Sequence, residues 1–180
     1  MAHFEKKLHS EEIFHGKILR ITVDTVELEN GKTAKREIVH HHGGSGVVPL
    51  TADGQVYLVR QFRYAFRREL FEIPAGKLEP GEDPLETARR ELMEECGLTA
   101  ERFMDLRPIY PSVGYDNEII HMYLATGLHE TEAQPDEDEF LDLVKIPLDE
   151  AIGMIEKGEI LDGKTVAALL KVKLLKMQES

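Results

Sequence analysis

An α+β fold is what this 180-residue sequence predicts. Three observations lead there. Apolar residues alternate with polar ones through Leu19–Leu28 and in several short later runs. One strongly capped helix occupies the stretch from Asp83 to Gly97, and two further helical patterns fall together after Ile146. A doubly wound parallel sheet would need helices alternating regularly with strands, and this chain does not supply them.

Taken in order, Ile13 to His42 reads as strand, turn, strand. Ile21, Val23 and Val26 stand among polar neighbours, and Asn30-Gly31 is a hairpin signal. His42-Gly43-Gly44-Ser45-Gly46 reads as a flexible joint. A boundary near Gly43 therefore separates a β-rich segment, residues 1–43, from a main domain, residues 44–180. Val47–Leu50 and Val56–Phe62 read as strands around the turn Asp53-Gly54. Asp83 suits a helix N-cap, Pro84 the first helical position, Glu86 a capping box, and Gly97 a left-handed C-cap. Strands are expected at Phe103–Tyr110, Glu118–Thr126 and Phe140–Ile146. Helices are expected over Leu148–Lys157, apolar at 148, 151, 152 and 155, and from about Lys164 to Met177.

Composition narrows the function. With 42% hydrophobic and 31% charged residues, the chain has the apolar content for a real core. A single cysteine, Cys96, allows no intramolecular disulfide and points to a reducing cytoplasm. The polar start, Met1–Ser10, lacks a signal-peptide stretch, and no run approaches the ~18 apolar residues of a membrane span. A net charge of −12 repels a phosphate backbone, so neither nucleic acid nor membrane is an expected partner. A small anionic ligand remains compatible, because an arginine cluster or a bound cation reverses the field locally.

The central helix carries the excess acid. At ~100° per residue, Leu85, Ala88, Leu92 and Cys96 share one apolar arc. Glu91, Glu94 and Glu95, spaced i, i+3, i+4, share the next, with Glu82 just ahead of the helix. Each like-charge pair destabilises a helix by about 0.2–0.5 kcal/mol, and the C-terminal dipole disfavours Glu94 and Glu95 further. From spacing alone this is either a solvated glutamate face or a cation site. An all-oxygen donor set without nearby cysteine or compact histidines favours Mg²⁺ or Mn²⁺ over zinc.

The wider stretch runs Gly76-Lys77-Leu78-Glu79-Pro80-Gly81-Glu82, seven residues, then Arg90-Glu91-Leu92-Met93-Glu94-Glu95-Cys96-Gly97-Leu98. It resembles the Nudix box, G-x5-E-x7-R-E-U-x-E-E-x-G-U with U aliphatic, at all nine fixed positions. The resemblance implies an α/β/α sandwich with a mixed sheet, and hydrolysis of a nucleoside diphosphate linked to another moiety. It also implies Glu91, Glu94 and Glu95 as metal ligands and Arg90 as the residue orienting them. Glu72-Ile73-Pro74-Ala75-Gly76 is similar to the E-x-P-A-G lead-in of ADP-ribose pyrophosphatases, whose alanine carbonyl also ligates metal. Asn30-Gly31-Lys32 with Arg36-Glu37 is similar to that family's N-terminal hairpin, which in relatives exchanges between two subunits and so implies a homodimer.

Further residues follow from the same resemblance. Pro135-Asp136-Glu137-Asp138-Glu139-Phe140 resembles the acidic loop that supplies the catalytic glutamate, with Glu137 in that role and Glu139 as its neighbour. Ser112-Val113-Gly114 departs from the Ser-Pro-Gly triplet of ADP-ribose-hydrolysing members, and Glu118 matches the glutamate that follows it. Arg36 and Arg63 are the choices for gripping the diphosphate, since a guanidinium binds phosphate as a fork. Glu72 is a further candidate substrate residue. Phe14 reads first as a core side chain and, alternatively, as a ring to stack on adenine. The expected reaction is Mg²⁺-dependent cleavage of ADP-ribose to AMP and ribose 5-phosphate. Alternatives are another nucleoside diphosphate sugar, a dinucleoside polyphosphate, or a non-catalytic nucleotide sensor.

Three other signals carry less. Gly158–Thr165 satisfies the P-loop pattern G-x4-G-K-[ST], but a helix precedes it where a strand is required, so it reads as an interhelical turn. Of His40-His41-His42, only His40 and His42 share a strand face. Cys96 lies on the apolar side of its helix and reads as a packed thiol.

Overall fold

The structure is a computed structural model that describes residues 3–132 and 140–179. Its described residues fall into two compact units. One runs up to Gly43 and takes in Tyr110–Ile119; the other comprises Gly44–Ile109 and the chain from Ile120 onward.

The first unit is a three-stranded antiparallel sheet in the order β1-β2-β3: β1 Lys6–His15, β2 Leu19–Glu27, β3 Thr33–His41. The turn expected at Asn30-Gly31 is present. Gly31 adopts φ 77°, and the Asn30 side chain accepts the Lys32 N–H at 3.0 Å. The expectation of two strands from Ile13 is corrected, because the chain adds β1 ahead of them. All ten β1 residues are exposed, so no apolar alternation marks it in the sequence. Within the unit, Val39 exchanges backbone hydrogen bonds with Tyr115 and Asn117, which ties the 110–119 segment to β3.

The second unit contains two sheets. One is mixed, in the order β7-β4-β9-β8: β4 Gly44–Pro49, β7 Ala75–Lys77, β8 Leu98–Asp105, β9 Ile120–Glu130. β4 and β9 are parallel, and the other neighbours are antiparallel. The second sheet has the order β10-β5-β6: β5 Gln55–Arg63, β6 Arg68–Glu72, β10 Leu141–Pro147. Side chains one residue apart go to opposite layers, as the strand period demands. Val47, Val59 and Ala125 pack with Ala88, Leu92 and Cys96 of helix α1 (Pro84–Cys96). Val48, Leu58 and Leu124 pack instead with Leu148 and Ala151 of α2 (Leu148–Glu156) and with Ala168, Leu169 and Val172 of α3 (Gly163–Glu179). Strands thus lie between one helix on one side and two on the other, the expected α/β/α sandwich. Among the described residues no helix is long and apolar enough to cross a membrane.

Three local expectations are corrected. The glycine-rich stretch before Val47 is no flexible joint, since every residue of β4 is buried. A Cβ on Gly46 would stand 2.9 Å from Ile73 Cδ1, and one on Gly44 would stand 3.1 Å from the Gly76 carbonyl. The glycines permit close strand packing rather than motion. No strand is expected between Phe62 and Asp83, yet β6 and β7 form there, separated by Ile73-Pro74. β8 begins at Leu98, directly after Gly97 (φ 61°), because the left-handed cap reverses the chain at once.

Leu92 is fully buried at the junction of α1 and the sheet. Leu92→Ala is expected to cost ~2–5 kcal/mol through lost transfer energy and a residual cavity. Urea unfolding monitored by circular dichroism measures it, and a loss below ~1 kcal/mol would mean that this junction repacks freely.

Candidate active site

Helix α1 is fixed at both ends. Asp83 accepts the Leu85 N–H at 2.8 Å, Pro84 opens the first turn, and the Gly97 N–H reaches the Met93 carbonyl at 2.9 Å. Buried Ser45 donates its hydroxyl to the Pro84 carbonyl at 2.7 Å, pinning the helix start to β4. The expected capping-box role of Glu86 is replaced by an ion pair with Arg89 at 3.4 Å.

With the ends fixed, the acidic arc turns inward. Glu91 and Glu95 are 6% and 4% exposed, so both carboxylates have left water. A buried charge requires compensation. Arg90 supplies part of it: its guanidinium reaches Glu91 at 2.7 Å, Glu94 at 2.8 Å and Glu82 at 3.3 Å. Burial works against that guanidinium's charge, but Glu91, Glu82 and Glu94 outweigh it and raise the Arg90 pKa. The Glu79 N–H, 3.0 Å from the Glu82 carboxylate, holds Glu82 below the usual carboxylate range. Glu95 accepts the Ala75 N–H at 2.9 Å.

β7 supplies the space these carboxylates occupy. A Cβ on Gly76 would stand 1.7 Å from Glu91 Oε1. The box glycine is therefore required by close approach of a carboxylate, and its backbone conformation is ordinary. Glu82, Arg90, Glu91, Glu94, Glu95, Ala75 and Gly76 make one continuous patch. Four carboxylates stand there against one guanidinium. Among the described residues no three carboxylate, imidazole or thiol groups are drawn together tightly enough to hold a metal as they stand, and Glu91 and Glu94 share Arg90. The donor chemistry nevertheless fits a hard divalent ion. All donors are oxygens, the charge is in excess, and Gly76 leaves Glu91 a seat that a side chain would fill.

Glu72, at 2% exposed, forms a second buried charge centre behind the patch. Arg63 grips it as a fork, at 2.6 and 2.7 Å, and Lys164 bonds the same carboxylate. Burial pushes the Glu72 pKa up, but Arg63 and Lys164 together outweigh it and hold the group below its ordinary value. Arg63, expected to grip a diphosphate, thus has two of its five N–H donors on Glu72. The hydrogen bond to Glu72 raises the Arg63 pKa against the cost of burial, and the charges of Asp162 and Glu95 add to it. Lys164 was missed as a site residue. Its only signal in the sequence was the P-loop-like pattern, whose turn between α2 and α3 now has a role in holding Glu72.

Arg36, Glu118 and Phe14 belong to the first unit. Arg36 forks onto Glu5 at 2.6 and 2.9 Å within the N-terminal sheet. Glu118 stands 3.1 Å from His41 Nδ1 in the same unit. His40 bonds Thr22, so the histidine run serves local contacts. Phe14 is 51% exposed, which corrects the expectation of a core ring. Glu137 and Glu139 lie outside the described residues. Cys96 is buried, and burial pushes its thiol pKa well above the ordinary range, as suits a packing residue.

With this geometry in view, the sequence matches two described families. Residues 40–169 match the NUDIX domain, and residues 5–39 match the nucleoside diphosphate sugar hydrolase N-terminal domain. The chain is 46% identical to a methanol dehydrogenase activator of Bacillus methanolicus, over 98% of this chain and 95% of that protein. It is 43% identical to an ADP-ribose pyrophosphatase of Bacillus subtilis (strain 168), over 94% and 93% of the two chains. Among solved structures, the crystal structure of an ADP compounds hydrolase superposes with a TM-score of 0.86, at 22% identity, over 98% of this chain and 96% of that one. That last likeness concerns the fold.

Gly76→Ala tests the seat of Glu91. The methyl group forces that carboxylate aside while leaving the core untouched. Mn²⁺ affinity, titrated by electron paramagnetic resonance, is expected to fall roughly 10- to 100-fold with an unchanged circular dichroism spectrum. An unaltered affinity would mean that Glu91 does not need this position.

Proposed function

The chain belongs to the Nudix family, and from that premise we propose that it hydrolyses ADP-ribose to AMP and ribose 5-phosphate. One observation carries the reading. The box glutamates are gathered against a glycine strand, two of them buried, with more negative charge than Arg90 can balance. Family relatives named as ADP-ribose pyrophosphatases supply the substrate.

In this reading Glu91, Glu94, Glu95 and the Ala75 carbonyl hold Mg²⁺ or Mn²⁺, which supplies positive charge against the diphosphate and acidifies the attacking water. Arg90 keeps the glutamates in register by bonding Glu82, Glu91 and Glu94 at once. The Ala75 N–H fixes one oxygen of Glu95 and so sets where its other oxygen points. Arg63 offers its remaining donors to the diphosphate oxygens. Arg36, Glu118 and the exposed Phe14 ring are the first unit's own candidates for binding substrate. Glu137, or its neighbour Glu139, takes the water proton as the water oxygen bonds to one phosphorus. The bridging phosphorus–oxygen bond then breaks, leaving AMP and ribose 5-phosphate.

A rate panel with product identification tests the substrate. ADP-ribose is expected to give the highest kcat/KM against ADP-glucose and a diadenosine polyphosphate, with AMP released only when Mg²⁺ is present. Glu95→Gln is expected to lose most turnover while melting like the parent. Preference for another substrate overturns ADP-ribose, and full turnover of Glu95→Gln at saturating Mg²⁺ overturns the assignment of the site.

A second reading has one specific support, the relative at 46% identity that is named for activating another enzyme. It gains ground if ADP-ribose binds without release of AMP.

The same reading includes a homodimer. The N-terminal sheet leaves Leu8, Ile13 and Phe14 exposed along β1, apolar surface that a second copy would cover. Sedimentation equilibrium should return twice the 20.5 kDa chain mass, and a monomer at micromolar concentration would refute it.

A further inference from the structure

We propose that the turn from Asp162 to Thr165, at the start of α3, is a positioning element for hydrolysis, because it sets the strand segment that presents Ala75 to Glu95. The inference deepens the functional reading above and rests on it for the identity of the reaction.

The segment from Glu72 to Ala75 is anchored at every residue. Glu72 is held by Arg63 and by Lys164. The Ile73 N–H donates to Thr165 Oγ1 at 2.8 Å. The Pro74 carbonyl accepts the Val47 N–H at 3.0 Å. The Ala75 N–H meets Glu95, and Gly76 makes room for Glu91. Two of these five anchors come from the turn, on the far side of the sheet from α1.

The turn is itself organised around one carboxylate. Asp162 Oδ2 accepts the Thr165 hydroxyl at 2.6 Å, the Thr165 N–H at 3.0 Å and Lys164 Nζ at 2.9 Å. With its hydroxyl proton committed to Asp162, Thr165 Oγ1 presents a lone pair to the Ile73 N–H. Thr165 is fully buried, and no water can replace that hydroxyl without a cavity. Lys164, at 12% side-chain exposure, bridges Asp162 and Glu72. The bridge couples the turn to the residue that opens the segment. Displacements of ~1 Å at such a lead-in change turnover by orders of magnitude, while binding of remote substrate parts is little affected.

The test compares Thr165→Val, which keeps the shape and removes the hydroxyl, with Thr165→Ser, which keeps the hydroxyl. Thr165→Val is expected to bind Mn²⁺ roughly tenfold more weakly by electron paramagnetic resonance and to lower kcat more than it raises KM. Thr165→Ser is expected to restore both. Lys164→Met is the second variant, and it decides by the same criteria if Thr165→Val fails to fold. Folded variants with parental Mn²⁺ affinity and kcat overturn the proposal, as does a serine variant as impaired as the valine one. A parent protein that binds Mn²⁺ but leaves ADP-ribose intact defeats the substrate reading alone, and the Mn²⁺ affinities of the variants still decide the positioning role.

Discussion

Burial of like charge is the constraint on which the rest of the structure depends. Glu91 and Glu95 lie inside the protein within little more than one helical turn, beside Glu94 and Glu82. Desolvation and mutual repulsion both oppose that arrangement, and a helix C-terminus adds to the opposition. Each neighbouring feature answers it. Arg90 spans three of the carboxylates, the Ala75 N–H takes a fourth, and Gly76 gives up a side chain so that Glu91 fits. Firm caps at Asp83 and Gly97 keep the helix whole although its last turn is electrostatically unfavourable. What remains is an excess of carboxylates over the guanidinium among them, held in a fixed place, as a divalent ion requires of a protein.

The second buried carboxylate follows the opposite rule. Glu72 has two cationic partners, so its site is balanced. Breaking such a pair leaves an uncompensated buried charge at ~3–5 kcal/mol, which makes the network rigid irrespective of its net contribution to stability. The two centres are only a few residues apart along Glu72–Gly76. The balanced one therefore acts as a fixed post from which the unbalanced one is hung. This division explains why Arg63 faces the field of Glu95 while bound to Glu72, and why a lysine from α3 takes part in a site built mainly on α1.

Much of this was legible in the sequence, and the limits have physical causes. The cap residues, the apolar arc of α1, the Asn30-Gly31 turn and the two closing helices all carry local signals, and each is found close to its expected place. The glutamate spacing showed crowding, but not that Arg90 would stand among the carboxylates. β1 was invisible because an entirely exposed strand has no alternation to read. The glycines of β4 looked like a hinge because composition cannot distinguish a residue that must move from one that must let a neighbour come close. Lys164 matched a pattern belonging to another fold, and its partner Glu72 lies 92 positions earlier in the chain, beyond the reach of any local rule.

The residues that gather charge and those of the first unit are consequently held by different means. Everything that gathers charge lies between Glu72 and Gly97, with support from β4 and α3, and depends on distances of a few ångströms inside a packed core. Arg36, Glu118 and Phe14 lie in the unit built on β1–β3 and on 110–119, where Phe14 is exposed and Arg36 and Glu118 are partly buried. Surface residues change with small effects on stability, typically within ~0.5 kcal/mol, whereas the buried patch cannot lose a member so cheaply. Substitutions at exposed positions of the first unit are therefore tolerated more readily than losses from the buried patch. Val113, 81% exposed in the same unit, is among the positions open to such change.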